Sequence, residues 1–184
     1  MTADAPARSP LAGRAADLAT IGAELVPFLA QVDLRVDPAY AGLAPYPFPI
    51  EPNVAVDDGR RAALWLGPDE WLILGPPGAA AEIVAELEAA FAHLDRSVVD
   101  VSANRVAIEL TGAERLDLLA HVCPLDLDPR VWATGRCAQT LLGRAHVVLQ
   151  ERTETTGILV RPSFADYVVD LLLAIHGSAG GVGA

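Results

Sequence analysis

The chain has 184 residues, 24 acidic against 13 basic, a formal charge of −11 and 52% apolar residues. That length fits one domain with a self-sufficient core, and the acidic balance excludes a phosphate-neutralising nucleic-acid face and disfavours an anionic membrane surface. No apolar run approaches the roughly 18 residues of a membrane span, and Cys123 and Cys137, with no export-type leader, read as reduced thiols in the cytoplasm.

Residues 1–16, rich in Ala, Pro and Arg without periodicity, read as a flexible arm ahead of a single domain over 17–176. The segment 30–36 (AQVDLRV) alternates like a strand and stops at Asp37-Pro38. Five prolines between 37 and 53 mark a surface connection. Residues 62–66 and 71–74 are short apolar strands joined by Gly67-Pro68-Asp69-Glu70, with proline placed for a type I turn. The spacing predicts a helix over 79–91, burying Ile83, Val84, Leu87 and Phe91 and turning Glu82, Glu86 and Glu88 outward.

Segments 98–102 and 105–110 read as a hairpin linked by Ala103-Asn104. A helix over 112–123 is expected to open on a Thr111/Glu114 capping box and to bury Leu116, Leu119, Ala120 and Cys123. Strands 137–142 and 145–150 form a second hairpin, in which Gly143 supplies the positive φ of a II′ turn. The last helix, 164–176, is expected to bury Tyr167, Val168, Leu171, Leu172 and Ile175, and the glycine-rich 177–184 reads as a flexible tail. Segments 71–91 and 157–175 repeat one plan: apolar strand, proline-marked corner, amphipathic helix. Together these features predict a pseudo-duplicated α+β domain with helices packed on antiparallel sheets.

Chemistry is sparse. There is no phosphate loop, dinucleotide fingerprint, zinc-protease helix or nucleophile elbow. His121, Cys123, Cys137 and His146 are all good zinc ligands, but His121 and Cys123 lie two apart on the expected helix and diverge by roughly 200°. Cys123 precedes Pro124 at a helix C-terminus, where the dipole does not favour a thiolate. Asp126 with Asp128, and Asp69 with Glu70, sit in turns, where acids cap or are solvated. These residues supply binding surfaces and no evident catalytic machinery. Trp71, Arg136 and Gln139 are the candidate partner-facing residues, since tryptophan and arginine anchor interfaces and Arg136 and Gln139 place donors beside an apolar strand.

Several stretches carry a likeness: VDLRVDP (32–38), LWLGPDEWLIL (64–74), CPLDL (123–127), GRCAQT (135–140) and RPSFADY (161–167), in that order. The series resembles the gamma subunit of heterotetrameric sarcosine oxidase over nearly the whole chain. The resemblance implies a folate-binding-type fold of the aminomethyltransferase superfamily, built from two swapped halves. It implies a non-catalytic assembly subunit in a cytoplasmic complex with alpha, beta and delta subunits. That complex oxidises sarcosine to glycine, forming hydrogen peroxide and 5,10-methylenetetrahydrofolate. FAD, FMN, NAD, zinc and tetrahydrofolate are implied for the complex, with no cofactor, metal or catalytic residue on this chain. Catalytic relatives carry an acid in the strand after the turn that corresponds to Gly143-Arg144, where this sequence reads Ala145 to Gln150 without a carboxylate. The alternative is an independent folate-binding, one-carbon transfer protein of the same superfamily.

Overall fold

The computed structural model describes residues 8–180. In chain order the elements are α1 (Ala15–Thr20), β1 (Ala23–Val26), β2 (Ala30–Val36), a 3-10 turn (Pro38–Leu43), β3 (Ala55–Asp57), β4 (Ala62–Gly67), β5 (Glu70–Gly75) and α2 (Ala80–Ala90). They continue with β6 (Arg96–Asp100), β7 (Val106–Thr111), α3 (Arg115–Ala120), β8 (Cys137–Leu142), β9 (Ala145–Glu151), β10 (Thr155–Val160), a 3-10 turn (Pro162–Phe164) and α4 (Ala165–Gly180).

The strands form two five-stranded antiparallel sheets, ordered β3-β4-β5-β2-β6 and β8-β9-β10-β7-β1. Read this way the orders match position for position, so the duplication expected from the strand–corner–helix repeat extends to whole sheets. The halves are swapped: β1, which precedes the first half in sequence, takes in the second sheet the place that β6 takes in the first.

Both faces of each sheet are covered, which explains the unbroken apolar runs. On β5, Trp71 and Ile73 pack toward Ile83, Leu87 and Phe91 of the α2 side, while Leu72 and Leu74 point the other way. On β10, Ile158 and Val160 meet Val168, Val169 and Leu172 of α4, and Leu159 joins Leu64, Leu66, Leu72 and Val148 between the sheets. The layers are thus helix, sheet, sheet, helix. Along one side the sheets are also joined by hydrogen bonds: Val54 bridges Arg136, Ala55 N–H donates to Gly135 O (2.8 Å) and Cys137 N–H to Asn53 O (3.0 Å).

The Gly143-Arg144 hairpin forms in the expected register, Leu142 opposite Ala145, with Gly143 at φ +56° and no positive φ at Arg144, as a II′ turn requires. Four readings need correction. The 98–102/105–110 hairpin does not exist: β6 pairs with β2 and β7 with β1 and β10. A two-residue hairpin needs a positive φ that neither Ala103 nor Asn104 adopts, so residues 101–105 carry the chain from one sheet to the other. The Thr111/Glu114 box is also absent. Thr111 stays in β7 and its hydroxyl donates to Gly22 O (2.7 Å), Gly112 turns the chain at φ +97°, and α3 is one short helix with no side-chain cap and an exposed Ala120. In α4 the fully buried stripe is Ala165, Val168, Val169 and Leu172; Leu171 and Ile175 are half-buried, and Tyr167 is exposed, its hydroxyl accepting from Arg144 N–H (3.1 Å). Finally, the proline-rich connection is no mere surface strap, because Tyr46 and Phe48 pack on the α2-side core.

The arm expected over 1–16 and the tail expected over 177–184 lie partly outside the described residues. Within them, Leu11 is buried in the α4-side core and α4 runs to Gly180. No helix among the described residues is long and apolar enough to cross a membrane.

Candidate partner-binding surface

The three residues singled out for partner contact fall in different settings. Trp71 is fully buried: its Nε1–H donates to Pro49 O (2.7 Å) and its ring lies 5.7 Å from that of Phe48. The connection expected to cross the surface folds back over this tryptophan, which removes it from any interface. Arg136 and Gln139 sit together where the two sheets join. Arg136 is half-buried with its backbone in the Val54 bridge. Gln139 is exposed, and its Nε2–H donates across to Leu66 O (3.0 Å), tying β8 to β4. Of the three, Arg136 keeps its charged group free of any ion pair among the described residues.

The thiols are structural. Cys137 donates to Val54 O (3.2 Å) between the sheets, and burial pushes its thiol up to about 12, so it stays protonated at neutral pH. Cys123 faces Thr140 Oγ1 at 3.8 Å. His121 pairs through Nδ1 with Asp117 O (2.8 Å) on an exposed face. Among the described residues no three His, Cys, Asp or Glu side chains come together as a metal site. The turn acids are occupied: Asp126 accepts from Asp128 N–H (3.0 Å), Asp128 binds Arg130 (2.6 Å) and Asp69 binds Arg35 (2.9 Å).

A buried polar cluster escaped the sequence reading. Glu151, at the end of β9, is 3% exposed and ion-pairs with Arg115 of α3. Its other oxygen accepts from Thr156 Oγ1–H (2.5 Å) and from Trp132 Nε1–H (3.1 Å). It stands one residue past the stretch in which catalytic relatives are expected to carry an acid. Every bond it makes is internal, so it ties α3 and residue 132 to the sheet. The only sequence signal was a carboxylate closing an apolar strand.

Opposite the side where the sheets are joined, the two crossing segments, 27–29 from β1 to β2 and 101–105 from β6 to β7, flank an apolar groove of about 360 Å³. By the strand correspondence these two crossings are each other's counterparts. Leu25, Leu29, Val106 and Pro162 line the groove with Phe28 and Arg105. Phe28 is 53% exposed and adopts φ +54°, a left-handed conformation that costs an aromatic residue about 1 kcal/mol or more. Burial, and then the like charge of Arg161, hold the Arg105 guanidinium below its ordinary value. Arg161 itself donates to Asn104 Oδ1 (3.1 Å).

Comparison with known proteins agrees across sequence and structure. The family described as "Sarcosine oxidase, gamma subunit family" matches residues 34–178. A protein named sarcosine oxidase subunit gamma from Corynebacterium sp. (strain P-1) is 34% identical over 84% of this chain and 79% of its own length. One of the same name from Arthrobacter sp. is 33% identical over 80% and 76%. A chain of the heterotetrameric sarcosine oxidase from Corynebacterium sp. U-96, solved in complex with pyrrole 2-carboxylate, superposes with a TM-score of 0.86 at 29% identity, covering 97% of this chain and 98% of that one. The glycine cleavage system aminomethyltransferase T from Bartonella henselae shares the fold, with a TM-score of 0.60 at 12% identity over 86% of this chain and 48% of its own.

Proposed function

The chain belongs to the sarcosine oxidase gamma subunit family, and from that membership we propose that it is the non-catalytic assembly subunit of a heterotetrameric sarcosine oxidase in the cytoplasm. Its partners are the alpha, beta and delta subunits. The complex converts sarcosine, oxygen and tetrahydrofolate to glycine, hydrogen peroxide and 5,10-methylenetetrahydrofolate. The observation that carries the proposal is the near-complete superposition on a chain of such a heterotetramer.

The absence of a catalytic role is supported by what the polar groups do. The one carboxylate at the end of β9 is held by Arg115, Thr156 and Trp132, so both of its oxygens are engaged in structural bonds. Strand β9 itself offers only His146 and Gln150 as polar side chains between Ala145 and Gln150. A zinc ion needs several His, Cys or acidic ligands, and the described residues do not bring three together. In this reading FAD, FMN, NAD, zinc and tetrahydrofolate are assigned to the other subunits of the complex, as the family resemblance implies.

The test is co-expression with the alpha, beta and delta chains. A four-chain complex containing this chain is expected, with sarcosine turnover that falls when it is omitted. Equal assembly and turnover without it would overturn the proposal. Calorimetric titration of the isolated chain with tetrahydrofolate separates the alternative of an independent one-carbon transfer protein: no heat is expected, and micromolar binding would favour the alternative.

A further inference from the structure

We propose that the groove between the two crossing segments, with Phe28 at its mouth and Arg105 in its wall, is where this chain takes a segment of a partner subunit carrying an apolar side chain next to a carboxylate. The inference rests on the assembly role proposed above and gives it a surface. Three observations converge on the groove. Its walls are the ends of β1 and β7, both in the second sheet, and the two crossovers that lead to and from the first. Phe28 is held in a left-handed conformation with half its surface in water. Among the described residues Phe28 belongs to no core cluster and no ring pair, whereas insertion against a partner's apolar residue buries it.

The third observation is charge. The chain is strongly acidic overall, and eight of its arginines, among them Arg14, Arg35, Arg61 and Arg152, have a carboxylate partner. Of the five arginines with none among the described residues, Arg8 and Arg105 line this groove and Arg161 stands beside it. Asp33 and Glu70 are the acids that act on Arg105, each less strongly than Arg161. The groove is therefore a positive, apolar spot on a negative protein. It favours a carboxylate-bearing apolar segment, while two copies of a chain of net charge −11 repel each other as wholes, which makes a second copy the poorer occupant.

The experiment measures the affinity of the purified chain for the assembly of alpha, beta and delta, with wild type, Phe28→Ala, Arg105→Glu and, as a control far from the groove, Arg130→Glu. Phe28→Ala and Arg105→Glu are each expected to weaken binding by about tenfold or more. Arg130→Glu should stay within about twofold, as an exposed charge outside the contact does. Salt should weaken wild type more than Arg105→Glu. Thermal melts of the isolated variants check the fold, and the milder Phe28→Leu and Arg105→Gln replace any variant that melts early. If wild type itself fails to join the other subunits, the assembly role falls. If wild type joins and the groove variants bind as well as it does, the role stands and the docking site is overturned. Self-association of the isolated chain that Phe28→Ala abolishes would likewise overturn it, assigning the groove to a second copy.

Discussion

The first half of the molecule, residues 30–100, and the second, residues 106–180 with β1 added, repeat one strand order yet bury their polar groups in opposite ways. In each, the long connection after the first strand folds back over the sheet and is secured by a tryptophan N–H. In the first half the donor is on the strand and the acceptor in the connection, Trp71 to Pro49 O. In the second the donor is in the connection and the acceptor on the strand, Trp132 to Glu151. The first solution is neutral, and aromatic packing by Tyr46 and Phe48 does most of the covering. The second brings a buried charge, which then requires Arg115 from α3 to neutralise it. A duplicated frame thus fixes where a connection must be fastened and leaves the chemistry of the fastening open.

The largest effect expected from breaking this comparison is at Trp71. Trp71→Ala removes a fully buried indole and orphans the Pro49 carbonyl, at a cost of about 4 kcal/mol. Denaturant unfolding of the variant measures it. Trp71→Phe should cost clearly less, because it keeps an aromatic ring against Phe48 and loses the hydrogen bond and only part of the buried volume. Equal losses for the two would show that packing contributes little to the first fastening.

The second fastening should fail more gently but show stronger coupling. Glu151→Ala leaves Arg115 with an uncompensated charge and two donors unpaired, and should cost about 3 kcal/mol. The double variant Arg115→Ala/Glu151→Ala should cost clearly less than the sum of the singles, since the second change removes the orphaned charge. A double-mutant cycle by urea unfolding measures this, and additive losses would mean the pair contributes as two separate contacts.

The same contrast explains what could be read in the sequence. Signals that act over a few residues survived: β2 spans 30–36 as alternation predicts, Gly143 makes its II′ turn, and α2 buries Ile83 and Leu87. Where the decision is made by distant chain, local reading failed. β6 and β7 look like neighbours in a hairpin, but β2 and β10 compete for them from afar. β1 is four residues of AELV, intelligible as a strand only because β7 is waiting for it. Trp71 lies on a strand buried on both faces, so periodicity cannot tell inside from outside. The groove draws on residues near 28, 105 and 162, none of which forms a motif in its own stretch, and Glu151 differs from a surface acid through Arg115, Trp132 and Thr156, the first of them 36 residues away.

The swap that completes the second sheet offers a smaller test. Arg14, just ahead of α1, binds Asp17 (2.5 Å) and reaches Asp166 (3.0 Å) and Asp170 (2.6 Å) on α4, so it ties the N-terminal chain that delivers β1 to the half it completes. Arg14→Ala should cost about 1 kcal/mol at low salt and less at high salt, as for a partly exposed network. Hydrogen exchange should quicken in β1 and leave β2 to β6 unchanged. Equal quickening in both sheets would mean the bridge stabilises the molecule as a whole and does not anchor the swapped strand.

The smallest effect separates two acids of the first half by sign. Asp58 accepts from Arg61 N–H (2.7 Å) and Arg60 N–H (2.8 Å), and these bonds hold its carboxyl below the ordinary range. Asp33 on β2 is raised, first by burial and then by the charge of Glu70. In the unfolded chain both titrate near about 3.9. A lowered folded value means that Asp58 stabilises above that pH, and the contribution fades as the pH falls through its folded value. A raised folded value means that ionised Asp33 opposes folding. That cost is absent below about 3.9 and complete once the pH exceeds its folded value. Asp58→Asn should therefore lower the urea midpoint at pH 7, with the deficit shrinking in acid. Asp33→Asn should raise the midpoint at pH 7, with the gain vanishing in acid. Midpoints measured across the acid range for both variants decide the matter, because slopes of the same sign would refute the assigned environments of both carboxylates.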